Sequence, residues 1–150
     1  MTTFLIFLTQ FGTWWAIFWM ALLLVLLLVM NGKRKDAVTF YLGLIATEAT
    51  VYLMKLYVAR PRPADAVITE YGFSFPSGHA ALAAFFYGAL ILLVSDYNLS
   101  KLGRVIFYIT IVALMIGIGL SRYYLNVHYP TDIFAGYVIG FFWLFIGQKF

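Results

Sequence analysis

Long apolar runs alternate with short polar breaks along the whole chain. Five runs, at residues 11–30, 37–57, 79–94, 102–120 and 133–147, approach the roughly 20 helical residues that cross a hydrocarbon core of about 30 Å. They predict an all-α fold, a polytopic membrane helix bundle of about five transmembrane helices, forming one domain over residues 1–150. The third and fifth runs are short, so their helices start within flanking residues or sit in locally thinned bilayer. Residues 1–10 either extend the first helix or lie along the interface as a separate piece. No basic residue precedes the first run and Lys33-Arg34-Lys35 follow it, the pattern expected of an uncleaved first span.

Composition sharpens this picture. A chain that is 64% hydrophobic and 11% charged lies far outside the soluble globular range and reads as an integral membrane protein. The net charge of +4 contains no basic stripe interleaved with aromatics, so no nucleic acid partner is expected. Cysteine is absent, which excludes disulfides, thiolate catalysis and cysteine metal sites. In a five-span arrangement Lys33, Arg34, Lys35, Lys101, Arg104 and Lys149 fall on one side, and Lys55, Arg60, Arg62 and Arg122 on the other. If the second group is reserved for a ligand, the positive-inside rule makes the first side cytoplasmic. The expected location is then the cell membrane, multi-pass, with the polar clusters on the extracytoplasmic side.

Three polar clusters carry the candidate chemistry. Pro76-Ser77-Gly78-His79 opens the third span, placing backbone N–H groups, a hydroxyl and a residue without Cβ at a helix N-terminus, an arrangement suited to anions. The same tetrapeptide also fits a serine N-cap followed by a structural histidine. His128 and Asp132 are four apart with Pro130 between them. A carboxylate on one imidazole nitrogen fixes the tautomer and frees the other as a nucleophile, although Asp132 also suits a plain helix cap. Lys55 and Arg62 flank the proline-broken end of the second span, where they either grip a phosphate or snorkel to headgroups.

Taken jointly, Lys55-x6-Arg62-Pro63, Pro76-Ser77-Gly78-His79 and Ser121-Arg122-x5-His128-x3-Asp132 resemble the three-part signature of the type 2 phosphatidic acid phosphatase (PAP2) superfamily. The resemblance implies a helical phosphatase in which His128 is the nucleophile, Asp132 its partner and His79 the general acid and base. It also implies that Lys55, Arg62, Ser77, Gly78 and Arg122 hold the phosphate. Membrane members of that family usually have six spans, against the five counted here. The reaction this implies is a metal-free, cofactor-free phosphohistidine hydrolysis, with a lipid phosphate or isoprenyl diphosphate as substrate and membrane lipids around it. A phosphotransferase passing the phosphoryl group to an acceptor lipid, and a non-catalytic lipid-phosphate binder or transporter, are the alternatives.

Other polar and small residues attract structural expectations. Glu48 stands in mid-span two helical turns from Lys55 and is expected as a buried carboxylate, neutral or bonded to a neighbouring helix. Ala80, Ala84 and Gly88, and Gly136-x3-Gly140, form small-residue stripes that predict close helix packing, or alternatively a homo-oligomer contact. Trp14, Trp15, Trp19, Tyr123 and Tyr124 are expected to face lipid or its interface.

Overall fold

A computed structural model of the chain describes residues 1–95 and 100–147. Within them the chain is helical with no strand, in the order α1 (Thr2–Gln10), α2 (Trp14–Met30), α3 (Arg34–Val58), α4 (Gly78–Ser95), α5 (Lys101–Tyr124) and α6 (Pro130–Gly147). Five segments are long and apolar enough to cross a membrane: Thr2–Met30, Arg34–Val58, Gly78–Ser95, Lys101–Tyr124 and Pro130–Gly147. The two short runs do begin within their flanking residues. Lys149, counted above in the charge balance, lies outside the described residues.

Local chemistry sets the boundaries. The Thr13 hydroxyl accepts from the Ala16 N–H and Ser100 accepts from the Gly103 N–H, so α2 and α5 start on side-chain caps. Helix α3 stops at Ala59, which takes the left-handed conformation with φ 47° ahead of Pro61 and Pro63. The first ten residues do not simply lengthen α2. A turn at residues 11–13 separates α1 from it, and α1 packs against α5.

Helix α4 is the central member, with residues 80–89 buried without interruption. Its small face receives α6. A Cβ on Gly136 would collide with the Ser77 carbonyl and the Ala80 side chain, and one on Gly140 with the Ala81 carbonyl and Ala84. Lipid tails are as apolar as leucine, so burial alone does not drive helices together in a bilayer, and close approach of backbones does more of that work. Both small-residue stripes are therefore used inside the bundle. Trp14, Trp15, Trp19, Tyr123 and Tyr124 are exposed on its outside.

Glu48 departs from expectation. It is not enclosed between helices but stands at the exposed surface of α3, lining a groove with Trp14, Phe18, Ile45 and Leu82. Its spacing from Lys55 was legible, whereas the outward aim of that part of α3 depends on how α2 and α4 cover the helix.

Candidate active site

The helix order brings the C-terminal ends of α3 and α5 and the N-terminal ends of α4 and α6 to one end of the bundle. Residues 59–77 cross over that end. The three polar clusters meet there, as hydrogen bonds between distant residues record.

Tyr129, Pro130 and Thr131 lead into α6, and Asp132 is the third residue of its first turn. Its Oδ2 accepts from the Tyr129 N–H at 2.9 Å, the reciprocal half of a capping box. The same oxygen lies 3.5 Å from His128 Nδ1. Helix cap and imidazole partner are thus one atom, and the two readings of Asp132 coexist. Asp132 Oδ1 takes an ion pair from Arg60 Nη1 at 2.9 Å. Arg60 also donates to the Thr131 hydroxyl at 2.8 Å and stacks 4.0 Å over the Tyr129 ring. A carboxylate with no exposed side-chain surface requires such compensation.

On the other side of the imidazole, Arg62 Nη1 approaches His128 Nε2 at 3.3 Å. A guanidinium only donates, so the facing nitrogen presents its lone pair. The ring proton then belongs on Nδ1, toward Asp132. At 3.5 Å that contact is too long for a strong hydrogen bond, leaving room to tighten when the ring becomes cationic. Burial pushes the His128 imidazole below the ordinary histidine range. The Asp132 carboxylate opposes this, while Arg122, Arg62 and Lys55 reinforce it.

Ser77 caps α4. Its hydroxyl is 3.5 Å from the Ala80 N–H, and its own N–H donates to the Asp132 carbonyl at 2.9 Å. That backbone bond ties the start of α4 to the first turn of α6 and takes one N–H away from any anion. The first-turn N–H groups of Gly78 and His79 have no partner to find inside the helix. A Cβ at Gly78 would meet only Val51, at an ordinary 3.7 Å, so packing does not demand the glycine. Nε2 of His79 is buried with no hydrogen-bond partner.

The three cations converge on one short stretch of the overlying loop. Lys55 Nζ donates to the Phe73 carbonyl at 2.6 Å, and Arg62 donates to the carbonyls of Gly72 and Tyr71 at 3.1 Å each. Arg122 Nη2 reaches Glu70 Oε1 at 2.5 Å, with Arg62 3.9 Å from the other Glu70 oxygen. Arg122 is 1% exposed and its Nε has no partner. Arg62, Arg122, His128 and Asp132 are thus linked through Glu70 and the imidazole, Lys55 joins them on the 70–73 stretch, and the Ser77–Asp132 backbone bond brings the start of α4 to the same place. The charge pattern grouped Arg60 with the cations reserved for a ligand, whereas the structure commits it to Asp132 and Thr131. Sequence reasoning gave Glu70 and Thr9 no place in the site, and Thr9 accepts from Arg122 Nη1 at 3.0 Å. Arg60 and Glu70 were visible as charges near the clusters, whereas nothing distinguishes Thr9 before folding.

Among the described residues no three His, Asp or Glu side chains gather as a metal-binding group.

Comparison with known proteins identifies the family and the fold. A family model described as the PAP2 superfamily matches residues 36–149. Phosphatidylglycerophosphatase B of Bacillus subtilis is 34% identical over 102 residues, covering 65% of this chain and 49% of the relative. Undecaprenyl-diphosphatase of Sulfolobus acidocaldarius is 27% identical over 129 residues, covering 77% and 55%. The chain thus spans about half the length of these curated relatives. The crystal structure of a transmembrane PAP2-type phosphatidylglycerolphosphate phosphatase from Bacillus subtilis superposes with a TM-score of 0.89 at 25% identity, over 99% of this chain and 75% of that one.

Proposed function

The chain belongs to the PAP2 superfamily, and from that membership we propose that it is a membrane lipid phosphatase working through a phosphohistidine on His128. The observation that carries the reading is the imidazole's setting. Its Nε2 lone pair faces the Arg62 guanidinium, with the Asp132 carboxylate behind Nδ1. A nucleophile and its orienting carboxylate are more than binding alone requires.

In the first step Nε2 of His128 forms a bond to phosphorus in line with the departing oxygen. The phosphorus–oxygen bond breaks, and that oxygen takes a proton from His79 in its imidazolium form. In the second step His79, now neutral, removes a proton from water as the water oxygen bonds to phosphorus. The nitrogen–phosphorus bond breaks, releasing phosphate and returning both histidines to their starting forms. Lys55, Arg62, Arg122, the Ser77 hydroxyl and the Gly78 and His79 N–H groups stabilise the equatorial oxygens. Preorganised positive charge of this kind is usually the largest contribution to such catalysis. An incoming phosphate takes the place of Glu70 and of the carbonyls at 71–73 on these cations.

A lipid substrate suits the surroundings. An apolar groove between α5 and α6 is lined by Leu120, Tyr123, Pro130, Ile133, Phe134 and Tyr137, two of which, Pro130 and Ile133, flank Thr131 and Asp132 in the first turn of α6. A phosphate head in the site leaves an acyl or isoprenyl tail against that surface. The curated relatives act, by their names, on phosphatidylglycerophosphate and undecaprenyl diphosphate, and both classes fit this reading. It involves no metal, since both histidines and Asp132 are committed to phosphoryl transfer.

The test is phosphate release by purified protein from a panel of lipid monophosphates and isoprenyl diphosphates, with and without an acceptor lipid. Release that survives EDTA, is inhibited by orthovanadate and disappears in His128→Ala is expected. Release only alongside phosphorylated acceptor would make the protein a transferase, and no turnover of any member would reduce it to a binding protein.

A further inference from the structure

Residues 8–12 lie outside the stretch matched by the family model, yet they form one wall of the site. We propose that Thr9 is a positioning residue for Arg122, so that α1 completes the active site. The proposal rests on the reading above in which Arg122 holds the substrate phosphate.

Arg122 is almost wholly enclosed, and its three nitrogens have different surroundings. Nη1 donates to the Thr9 hydroxyl at 3.0 Å, Nη2 to Glu70, and Nε to nothing. In a guanidinium Nε–H and the nearer N–H of Nη2 point the same way, forming the side-on edge that grips two oxygens of a phosphate at once. Holding Nη1 on Thr9 fixes the rotation of the plane, so this edge and not the Nη1–Nη2 end faces the site. Thr9 is itself 2% exposed and offers a neutral acceptor. It keeps Nη1 occupied without neutralising the charge that phosphate needs. Glu70 does neutralise it, and an arriving phosphate can exchange with that carboxylate on the same edge.

The rest of the segment is built to hold this contact. Leu8 packs over Gly117, where a Cβ would lie 3.0 Å from the leucine Cδ2. Gly12 lies so close to α5 and α4 that a Cβ would fall 2.6 Å from Ile118 Cγ2 and 3.4 Å from His79 Cδ2. The Phe11 carbonyl accepts from the Tyr87 hydroxyl at 2.8 Å. The turn between α1 and α2 is therefore clamped to the two helices that carry Arg122 and His79, and Thr9 has little freedom to leave.

Replacing Thr9 with valine keeps the shape and removes the acceptor. The buried Nη1 then lacks a partner, and hydrogen bonds to charged groups are worth about 1.5–3 kcal/mol, corresponding to a factor of roughly 10–150. In full-length protein, kcat/KM on a lipid phosphate should fall, and Ki for orthovanadate should rise, by a factor in that range. Thr9→Ser should restore both. In an Arg122→Lys background, which lacks the fork, Thr9→Val should add less than about twofold. Should Thr9→Val not fold, Thr9→Cys, of similar volume and with only a weak acceptor, makes the same comparison.

Unchanged kcat/KM and Ki in Thr9→Val, failure of serine to rescue, or an equal loss in the Arg122→Lys background would each overturn the proposal while leaving Arg122 as a phosphate ligand. Wild-type kcat/KM and Ki in Arg122→Lys alone would overturn the phosphate reading of Arg122 and the proposal with it.

Discussion

Glu70 Oε1 lies 2.5 Å from Arg122 Nη2, which puts a carboxylate of the chain itself where an anionic substrate would engage a buried guanidinium. Neighbouring loop carbonyls satisfy Lys55 and Arg62 in the same way. On the phosphate-binding reading proposed above, substrate binding is an exchange in which the anion displaces the Glu70 carboxylate and these neutral carbonyls. Glu70→Gln weakens the resident partner, since hydrogen bonds between ionised groups are about twice as strong as neutral ones. Inhibition by inorganic phosphate or orthovanadate should tighten by about tenfold, a change worth about 1.4 kcal/mol. An inhibition constant that stays the same or rises would show that the carboxylate supports the anion site instead of occupying it.

The two histidines should separate by leaving group. His128→Ala removes the bond to phosphorus and should reduce turnover on every substrate to background while the protein remains folded. His79→Ala removes a proton donor, which an alkoxide needs and a phosphate or nitrophenolate largely does not. In single-turnover phosphoenzyme formation it should cost about a hundredfold or more on a lipid monophosphate and far less on a diphosphate or nitrophenyl phosphate. Equal losses across leaving groups would leave His79 as a phosphate ligand only.

The environment of His128 fixes the direction of a pH effect. Its imidazole is held below the ordinary value, first by burial and then by Arg122, Arg62 and Lys55 against the opposing Asp132. In the proposed mechanism only the neutral ring can attack phosphorus. Falling pH should therefore leave phosphoenzyme formation intact past the unperturbed value of about 6.5 and diminish it only at the lower folded-state pKa. Asp132→Asn removes the one group that favours the cation, so the acid limb should move further down while the plateau rate drops. A limb above the ordinary histidine range in the wild-type protein would contradict this.

Orientation is testable because the chain has no cysteine. Lys33, Arg34, Lys35, Lys101 and Arg104 lie at the end of the bundle opposite the site, which supports an extracytoplasmic site. Cysteine at Ala66, exposed in the loop over the site, should react with an impermeant thiol reagent on intact cells. Cysteine at Asn31, exposed at the far end, should not. The opposite labelling pattern would move the site to the cytoplasmic face.

Gly136→Ala tests the packing beneath the site. Its added methyl meets the Ser77 carbonyl and the Ala80 side chain, and overpacking of this kind costs about 1–3 kcal/mol. The thermal midpoint in detergent should fall, with activity falling beyond what the loss of folded protein explains. A variant with wild-type midpoint and activity would show that α6 can withdraw without cost.

Much of this was legible in the residues. Helices followed from run length, and close packing at Ala80, Ala84, Gly136 and Gly140 from small residues at helical spacing, although nothing in the residues said that the two stripes would meet each other. The three clusters announced a shared site through their chemistry. The partners of Arg122 were not legible. Glu70 and Thr9 stand 52 and 113 residues from it, and both contacts depend on the path of a loop and a short helix that no periodicity describes. Glu48 failed for a related reason. Its register with Lys55 was plain, but register says which residues share a face and not what that face meets.

The seam between α4 and α6 has a mechanical consequence. Backbone there rests on backbone, with no layer of side chains to compress, so the Ser77 end of α4 and the Asp132 end of α6 behave as one stiff strut. The overlying segment at 70–73 is held by hydrogen bonds and ion pairs that a ligand can replace one for one. Yielding is thus assigned to the cover and rigidity to the frame, so that, if the site takes a lipid phosphate as proposed, a bulky headgroup can displace the cover without loosening the frame beneath it.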